Sequence, residues 1–590
     1  MSEYLQLPPQ SRLDVFSLAE ALTRAGRLAA RDLARLRGIN ATAVHPLVYL
    51  AEQHLADLSQ PGTKLDMEAL LAFLSEETGQ AVVEIDPLKI DVAAVAEVMS
   101  KAFAERHRIL AVAVSSEEVV VASAEPLVTN WEHDLGQVVR RPIRRVLADP
   151  REILRHTQDF YAMASSVRGA HGVRSGEAGQ RLSNLESMVE LGARGSEPDA
   201  NDQHIVNVVD WLLQYAFEQR ASDIHIEPRR ELGKVRLRID GMLHDAYQLP
   251  AVVATAVTSR FKILARLDVA EKRRPQDGRM KTRTPEGNEV ELRLSTMPTA
   301  FGEKLVMRIF DPDVLLKSFS ELGLTDHNLE RWEGMIATGT GIVLVTGPTG
   351  SGKTTTLYST LRRLATSEVN VCTIEDPIEM VEPAFNQMQV NHNIDLDFAS
   401  GVRALMRQDP DVIMVGEIRD LETAHMAVQA ALTGHLVLST LHTNDSPGAI
   451  SRLNELGVPA FLIRATVRGV MSQRLVRRLC GNCRQLQPAD AHGWQTMTGG
   501  TLPVPEQLFR PVGCKQCRDT GYLGREGLYE VLVSSEGVQD TIVDGYSTRD
   551  IRRAAIADGM TPLRLAGAEK VVAGETTIEE VLRVTPALES

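Results

Sequence analysis

A glycine-rich loop with one lysine stands in the second half of the chain. Residues 347–354 read GPTGSGKT and match the phosphate-binding pattern G-x-x-x-x-G-K-[ST] at every fixed position. Glycines let backbone N–H groups turn inward around phosphate oxygens, the lysine reaches the β and γ phosphates, and the threonine hydroxyl ligates Mg²⁺. The pattern therefore predicts a site for ATP and Mg²⁺. Its residues are Gly347, Pro348, Thr349, Gly350, Ser351, Gly352, Lys353, Thr354 and Thr355.

Two acidic clusters follow the loop. TIEDPIE (373–379) comes after a short apolar stretch, and the apolar run Val412–Val415 ends in Gly416-Glu417. Hydrolysis needs one group that orients water and another that holds the metal ion. The second cluster resembles a Walker B strand with glycine in the usual aspartate position. We therefore expect Glu417 to support Mg²⁺, directly or through water.

Two histidines flank a second apolar run, with His435 before it and His442 after it. A single histidine is more often an ordinary core residue than a functional one. Here threonines, a serine and an asparagine surround the pair, and such a polar set is suited to sensing a γ-phosphate. The sequence favours the functional interpretation.

Four of the five cysteines form two pairs with CxxC spacing. Each CxxC turn presents two thiolates, and two such turns complete a tetrahedral Zn²⁺ shell. A structural zinc site is favoured over redox-active or free thiols, and the fifth cysteine, Cys372, is expected to be buried in a strand. The predicted ligands are Cys480, Cys483, Cys514 and Cys517.

The elements that position these residues alternate between strand and helix patterns. The apolar run Ile342–Thr346 enters the loop and Thr355–Leu364 follows it with helical spacing. Alternation of this kind, up to about residue 479, predicts a parallel sheet with helices on both faces. The fold class is therefore α/β, and the last segment of the chain is predicted to be mainly helical.

Charge and hydropathy exclude several classes of protein. The net charge of −14 disfavours a protein whose main task is to grip nucleic acid, so no nucleic-acid partner is expected. No apolar run approaches the 18 residues of a membrane-spanning helix, and the N-terminus lacks the pattern of a signal peptide. We expect a cytoplasmic protein whose contact with a membrane is indirect.

The motifs carry a resemblance to a known family. GPTGSGKTT, TIEDPIE, RQDPDVIMVGEIRD (407–420) and LTGHLVLSTLHTND (432–445) resemble the Walker A, Asp box, Walker B and His box of the secretion ATPase superfamily, in its type II secretion and type IV pilus assembly branch. That family has glycine in the Walker B aspartate position, so Gly416 agrees with membership. Upstream, ASDIHIEP (221–228) and RLSTMPTAFGEKLVMRIF (293–310) resemble its second N-terminal domain.

The resemblance implies a RecA-like ATPase domain preceded by a PAS-like α/β domain. It also implies roles for single residues. Glu375 would be the base that activates water, Glu417 would support Mg²⁺ or that water, and His442, with His435 as a weaker candidate, would sense nucleotide. Arg293 and Arg308 match arginines that reach a nucleotide from the preceding domain.

The predicted domain boundaries combine this resemblance with composition, because the segment SSVRGAHGVRSGEAGQ is rich in glycine, serine and charge, as linkers are. They are 1–160 for an N-terminal docking domain, 161–200 for a flexible linker, 201–315 for the PAS-like domain, 316–479 for the ATPase core, 480–520 for the zinc segment and 521–590 for a helical C-terminal region.

The resemblance further implies a homo-hexameric motor attached peripherally to the inner membrane. Its partners would be an inner-membrane platform protein and a membrane-anchored adaptor with a cytoplasmic domain. The ending TTIEEVLRVT (576–585) favours type II secretion, with a type IV pilus extension ATPase as the alternative. More remote alternatives are a DNA-transfer ATPase of conjugation or competence and a nucleotide-binding scaffold that does not turn over.

Overall fold

The computed structural model describes residues 4–588 apart from 37–43, 60–61, 88, 173–199, 286, 311–316 and 325. The chain divides into two compact units, Met1–Phe310 and Asp311–Ser590. Both units combine helices with β-sheets, which confirms the predicted α/β class.

The first unit begins with helices and a small sheet. Its elements are α1 (Val15–Arg24), α2 (Ala30–Leu36), α3 (Pro46–Glu52), α4 (Met67–Thr78), α5 (Val92–Val98), α6 (Lys101–His107), β1 (Ile109–Val114), β2 (Val119–Ser123), α7 (Asn130–Val139), β3 (Ile143–Leu147) and α8 (Pro150–Gly172). The sheet has the order β1-β2-β3, with β2 antiparallel to β1 and parallel to β3.

A six-stranded antiparallel sheet completes the first unit. Its elements are α9 (Gln203–Glu218), β4 (Asp223–Pro228), β5 (Leu232–Ile239), β6 (Met242–Pro250), α10 (Ala251–Leu264), β7 (Gln276–Arg283), β8 (Glu289–Thr299) and β9 (Gly302–Phe310). The strand order is β6-β5-β4-β9-β8-β7. Burial alternates along β5, as expected of a strand with one apolar and one polar face.

Helix α8 differs from the prediction of a linker that starts at residue 161. Residues 161–172 are helical because apolar side chains continue to recur every three or four residues, through Phe160, Ala164 and Val167. Helix α8 packs against α9, and buried residues of both belong to one apolar cluster. The rest of the predicted linker, apart from residue 200, lies outside the described residues.

The second unit is built around a seven-stranded sheet. Its first elements are α11 (Asp326–Ile336), β10 (Gly341–Thr346), α12 (Lys353–Leu364), β11 (Val371–Glu375), β12 (Asn386–Gln389), α13 (Phe398–Leu405), β13 (Val412–Val415), α14 (Leu421–Leu432), β14 (Leu436–Leu441), α15 (Ser446–Glu455) and α16 (Ala460–Thr466). The later elements are β15 (Val467–Leu479), β16 (Gln485–Pro488), α17 (Ala491–Thr498), β17 (Gln507–Arg510), β18 (Tyr522–Val533), α18 (Glu536–Thr541), α19 (Thr548–Ala557), α20 (Leu563–Val572) and α21 (Ile578–Val584).

The strand order of this sheet is β12-β11-β13-β14-β10-β15-β18. The first six strands are parallel, so the carboxyl ends of β10, β11, β13 and β14 meet at one edge. Strand β18 is antiparallel to β15 and corrects the prediction of a helical segment from residue 521. Its residues 527–532 are all buried, and a run that is buried on both faces fits a strand rather than a one-sided helix. Among the described helices, none is long and apolar enough to cross a bilayer.

Candidate functional site

The phosphate loop connects β10 to α12. All six residues of β10 are buried, and α12 begins at Lys353 with Gly352 as its N-cap. Gly350 and Gly352 have φ of 80° and 88°, a left-handed conformation that glycine adopts without strain. A Cβ at Gly347 would lie 2.5 Å from the carbonyl oxygen of Gln473 on β15, so only glycine fits there. The loop thus has the backbone that phosphate binding requires.

Lys353 is held over this loop. Its Nζ donates hydrogen bonds to the carbonyl oxygens of Gly347 at 2.8 Å and Pro348 at 3.1 Å. Burial lowers the pKa of Lys353 to about 8, with Glu417 acting to raise it and Arg474 to lower it. Within the described residues the buried Ser351 Oγ has no hydrogen-bond partner. An ammonium and an unpaired hydroxyl at a helix N-terminus fit a polyphosphate ligand.

Glu375 is the last residue of β11 and is buried. Its Oε1 accepts hydrogen bonds from Thr373 Oγ1 at 2.8 Å and Gln387 Nε2 at 3.2 Å. Its Oε2 accepts from Tyr358 Oη at 2.7 Å and from the Glu379 backbone N–H at 3.5 Å. Each carboxylate oxygen therefore already accepts two hydrogen bonds from protein groups.

Glu417 follows β13 at the same edge of the sheet. Its carboxylate lies 2.5 Å from Arg419 Nη2 and 3.5 Å from His442 Nε2. Burial lowers the pKa of His442, and the Lys353 charge lowers it further. A Cβ at Gly416 would lie 3.3 Å from the Ile374 carbonyl oxygen, so glycine relieves close contact with β11. The structure brings Lys353, Glu417 and His442 together.

His435 lies at the opposite end of the parallel sheet. It precedes β14, whereas His442 follows it, and its carbonyl oxygen accepts from the Gly341 N–H at the start of β10. Its Nδ1 lies 2.8 Å from the Ala430 carbonyl oxygen and 3.0 Å from Thr433 Oγ1, which places the ring against the end of α14. A six-residue strand spans roughly 20 Å. The structure therefore does not bring His435 to the phosphate loop of the same chain, and a nucleotide-sensing His435 stays a prediction.

Arg293 and Arg308 belong to the first unit, on β8 and β9. They are register partners across this antiparallel pair. Arg308 Nε lies 3.2 Å from Asp223 Oδ1, and 56% of its side chain is exposed. The Arg293 guanidinium lies 4.5 Å from the centre of the Phe310 ring. Both arginines thus occupy the charged face of the six-stranded sheet.

The four paired cysteines converge. The ligand sulfur atoms all lie within 4.8 Å of one another, and three of the Sγ–Sγ distances are 3.7 Å. Four thiolates at about 2.3 Å from a tetrahedral Zn²⁺ are about 3.8 Å apart. The N–H groups of Gly513 and Gly521 donate to Cys483 Sγ and Cys517 Sγ at 3.4 and 3.2 Å. The predicted cysteines therefore fit a closed zinc site, which joins the ends of β15 and β18.

Comparison with protein families decides the class of this chain. A model described as type II/IV secretion system protein matches residues 198–583, more than half of the sequence. The chain belongs to this family of secretion ATPases. A second model, for the MshEN domain, matches residues 78–167 of the first unit.

Three relatives of this secretion ATPase illustrate the range of the family. The type IV pilus assembly ATPase TfpB of Acinetobacter baylyi is 51% identical over 573 residues, which cover 96% of this chain and 97% of TfpB. The type IV pilus assembly ATPase PilB of Myxococcus xanthus is 38% identical over 88% of this chain and 91% of its own. The type II secretion system protein E of Klebsiella pneumoniae is 46% identical over 70% of this chain and 83% of its own.

Sequence reasoning missed several residues that shape the site of this secretion ATPase. Tyr358 and Gln387 hold Glu375, and Arg419 pairs with Glu417. Arg474 lies on β15, whose residue Gln473 contacts the phosphate loop. The sequence could have indicated Tyr358, because it lies five residues after Lys353 in the helix that follows the phosphate loop. Arg474 is revealed only by the packing of β15 against β10.

Proposed function

We propose that this secretion ATPase hydrolyses ATP at the Lys353 loop and powers assembly of a type IV pilus. The choice of type IV pilus assembly over type II secretion rests on the similarity to TfpB, which covers 96% of this chain and 97% of the relative. The protein E of Klebsiella pneumoniae matches 70% of the chain. Type II secretion, which the ending TTIEEVLRVT favours, is the second candidate.

The proposed roles follow the contacts of the second unit. Lys353 binds the β and γ phosphates, and Thr354 holds Mg²⁺, which neutralises phosphate charge when bound. Glu417 supports the metal or the attacking water, and His442 contacts the γ-phosphate as a neutral donor, in keeping with its lowered pKa. Glu375 is the general base. It can act only after it releases at least one of its present donors.

Arg293 and Arg308, on β8 and β9, are proposed to stabilise charge in the transition state, the role that the family resemblance implies for them. An arginine that stabilises charge in the transition state accelerates GTP hydrolysis about 10³- to 10⁵-fold. The exposed guanidinium of Arg308 supports this role.

The proposed partners are an inner-membrane platform protein and a membrane-anchored adaptor, with residues 1–160 as the docking domain. The proposed location is the cytoplasmic face of the inner membrane, reached through these partners. A pull-down from membranes with residues 1–160 as bait, in parallel with the full chain, identifies the membrane protein that binds.

A deletion strain of the source organism tests the cellular role. Complementation with the wild-type gene should restore surface pili in electron micrographs, and the Lys353→Ala variant should not. Restored export of a secreted enzyme without restored pili supports type II secretion instead. Normal pili with the Lys353→Ala variant would contradict the proposal.

Purified hexamers test turnover separately. The wild-type ring should hydrolyse ATP, and Lys353→Ala and Glu375→Ala should lose most of this activity. Equal rates in all three proteins would support the scaffold without turnover. Stimulation of hydrolysis by DNA would support the DNA-transfer class.

A further inference from the structure

Arg474 is a buried cation on β15, the strand that neighbours the phosphate-loop strand β10. Only 4% of the residue is exposed. Its guanidinium donates to three carbonyl oxygens, those of Asn444 at 2.6 Å and of Gln473 and Val584 at 3.0 Å. Among the described residues no carboxylate lies within ion-pair distance of it. The carboxylates of Glu530 and Asp445 favour its charge from beyond that distance. A buried arginine is costly for folding, and one whose hydrogen bonds all go to backbone groups calls for a functional explanation.

The Nη1 atom of Arg474 supports the phosphate loop. Nη1 donates to the Gln473 carbonyl oxygen, and this oxygen is the atom that excludes a side chain at Gly347. The Gly347 carbonyl oxygen in turn accepts a hydrogen bond from Lys353. The Gln473 side chain continues the contact, because its Oε1 accepts from Thr356 Oγ1 at 2.8 Å on α12.

The Nη2 atom of Arg474 supports the loop that contains His442. Nη2 donates to the carbonyl oxygen of Asn444, two residues after His442. The His442 loop also contacts the end of β10, because the N–H of Thr443 donates to Oγ1 of Thr346, the residue before the phosphate loop, at 2.9 Å. The planar, forked guanidinium can hold both loops at once, whereas a lysine ammonium is a single point of contact.

We propose that Arg474 is a positioning residue that fixes the phosphate loop against the His442 loop and adds positive charge behind the bound phosphates. The inference rests on the proposed hydrolysis of ATP at Lys353. The fork and the charge are separable properties. The fork sets the relative placement of the γ-phosphate and His442, and the charge favours an anionic ligand.

Two variants separate these properties in steady-state kinetics with MgATP. Arg474→Lys keeps the charge and loses the fork, so kcat should fall about tenfold while KM stays within about twofold of wild type. Arg474→Met loses both, so KM should rise about tenfold in addition to the fall in kcat. A substitution that only destabilised the fold would not lower kcat alone in Arg474→Lys and change both kcat and KM in Arg474→Met.

Arg468→Lys is the matched control. Arg468 lies on the same strand and donates to the Thr340 carbonyl oxygen at 3.1 Å, at the end of β10 remote from the phosphate loop. This variant should keep wild-type kcat and KM. Thermal unfolding of all variants reports folding, and Arg474→Lys carries the test if Arg474→Met does not fold.

The outcomes are distinct. An active wild-type ring with unchanged kcat in Arg474→Lys overturns the inference and leaves the proposed function intact. An equal loss of activity in Arg468→Lys and Arg474→Lys also overturns it, because position would then not matter. A wild-type ring that does not hydrolyse ATP overturns both the inference and the proposed function.

Discussion

The hydroxyl of Tyr358 donates a hydrogen bond to Glu375 Oε2 at 2.7 Å, and both side chains are buried. Burial raises the pKa of Tyr358, and the charge of Glu375 raises it further, so the phenol stays a donor at physiological pH. Gln387 Nε2 contacts both Tyr358 Oη and Glu375 Oε1, at 3.1 and 3.2 Å. Hydrogen bonds from residues of α12 and β12 thus hold the proposed base, and they direct its carboxylate oxygens at protein groups and not at a water molecule.

Removal of the Tyr358 hydroxyl should release Glu375. In Tyr358→Phe the Oε2 atom loses its shortest hydrogen bond and becomes available to a water molecule. We expect the basal kcat of purified hexamers to rise roughly two- to fivefold, since about 1 kcal/mol of restraint is lost. Steady-state ATPase assays without membrane partners measure this effect.

The double variant Tyr358→Phe with Glu375→Gln is the control for this prediction. It should have no more activity than Glu375→Gln alone, because the released group is then absent. A lower kcat in Tyr358→Phe than in wild type would show that the phenol positions Glu375 for catalysis instead of restraining it.

Replacement of the base itself should abolish turnover and spare binding. Glu375→Gln keeps the size of the side chain and removes its basicity, so kcat should fall about 10²- to 10⁴-fold. The Kd for a fluorescent ATP analogue should change little, because Lys353 supplies the phosphate contact. Glu379→Gln, in the same motif, should keep most of the activity. Loss of nucleotide affinity in Glu375→Gln with kcat intact contradicts the assignment.

The sequence predicts the backbone of this site better than its side-chain network. GPTGSGKT and the CxxC pairs are local patterns, since neighbouring residues supply all the groups, and the loop and the cysteine cluster have the expected form. Tyr358 and Arg474 acquire their contacts only when α12 meets β11 and β15 meets β10. No spacing in a single sequence specifies such tertiary contacts.

The differences between the sequence prediction and the structure have similar physical causes. His435 and His442 have similar polar neighbours in the sequence, but they lie at opposite ends of β14, and the end at His442 is the one that meets the phosphate loop. Strand β18 was missed because a short apolar run does not distinguish a buried strand from a buried helix. Helix α8 runs past residue 160 because its apolar positions continue.

Arg308→Ala should lower turnover without loss of stability. Its side chain is more than half exposed, so its removal leaves the sheet intact, and a role in transition-state charge predicts a fall in kcat of about 10³-fold. Arg238→Ala is a matched control. Arg238 lies 3.6 Å from the same Asp223 carboxylate, on the opposite neighbouring strand. Equal losses of kcat in the two variants would indicate that Asp223 pairing, not nucleotide contact, is the shared cause.

Removal of zinc should destabilise the second unit. The cysteine cluster ties the end of β15 to the start of β18, and these strands form the antiparallel edge of the sheet that contains the phosphate-loop strand. Metal analysis of the wild-type protein should find one zinc per chain. Chelation or Cys483→Ser should remove it and lower the unfolding temperature by roughly 5–10 °C.

Cys372→Ser separates loss of metal from loss of a buried thiol. Cys372 lies in β11, is buried and stands apart from the four clustered cysteines, so this variant should keep one zinc per chain even if it unfolds earlier. In Cys483→Ser the fall in unfolding temperature should accompany the loss of metal, and added Zn²⁺ should reverse the fall in chelated wild type. A structural zinc site is contradicted if the wild-type protein contains no bound metal. It is also contradicted if chelation does not change the unfolding temperature. The cysteine geometry would then reflect packing of four thiols between two strand ends.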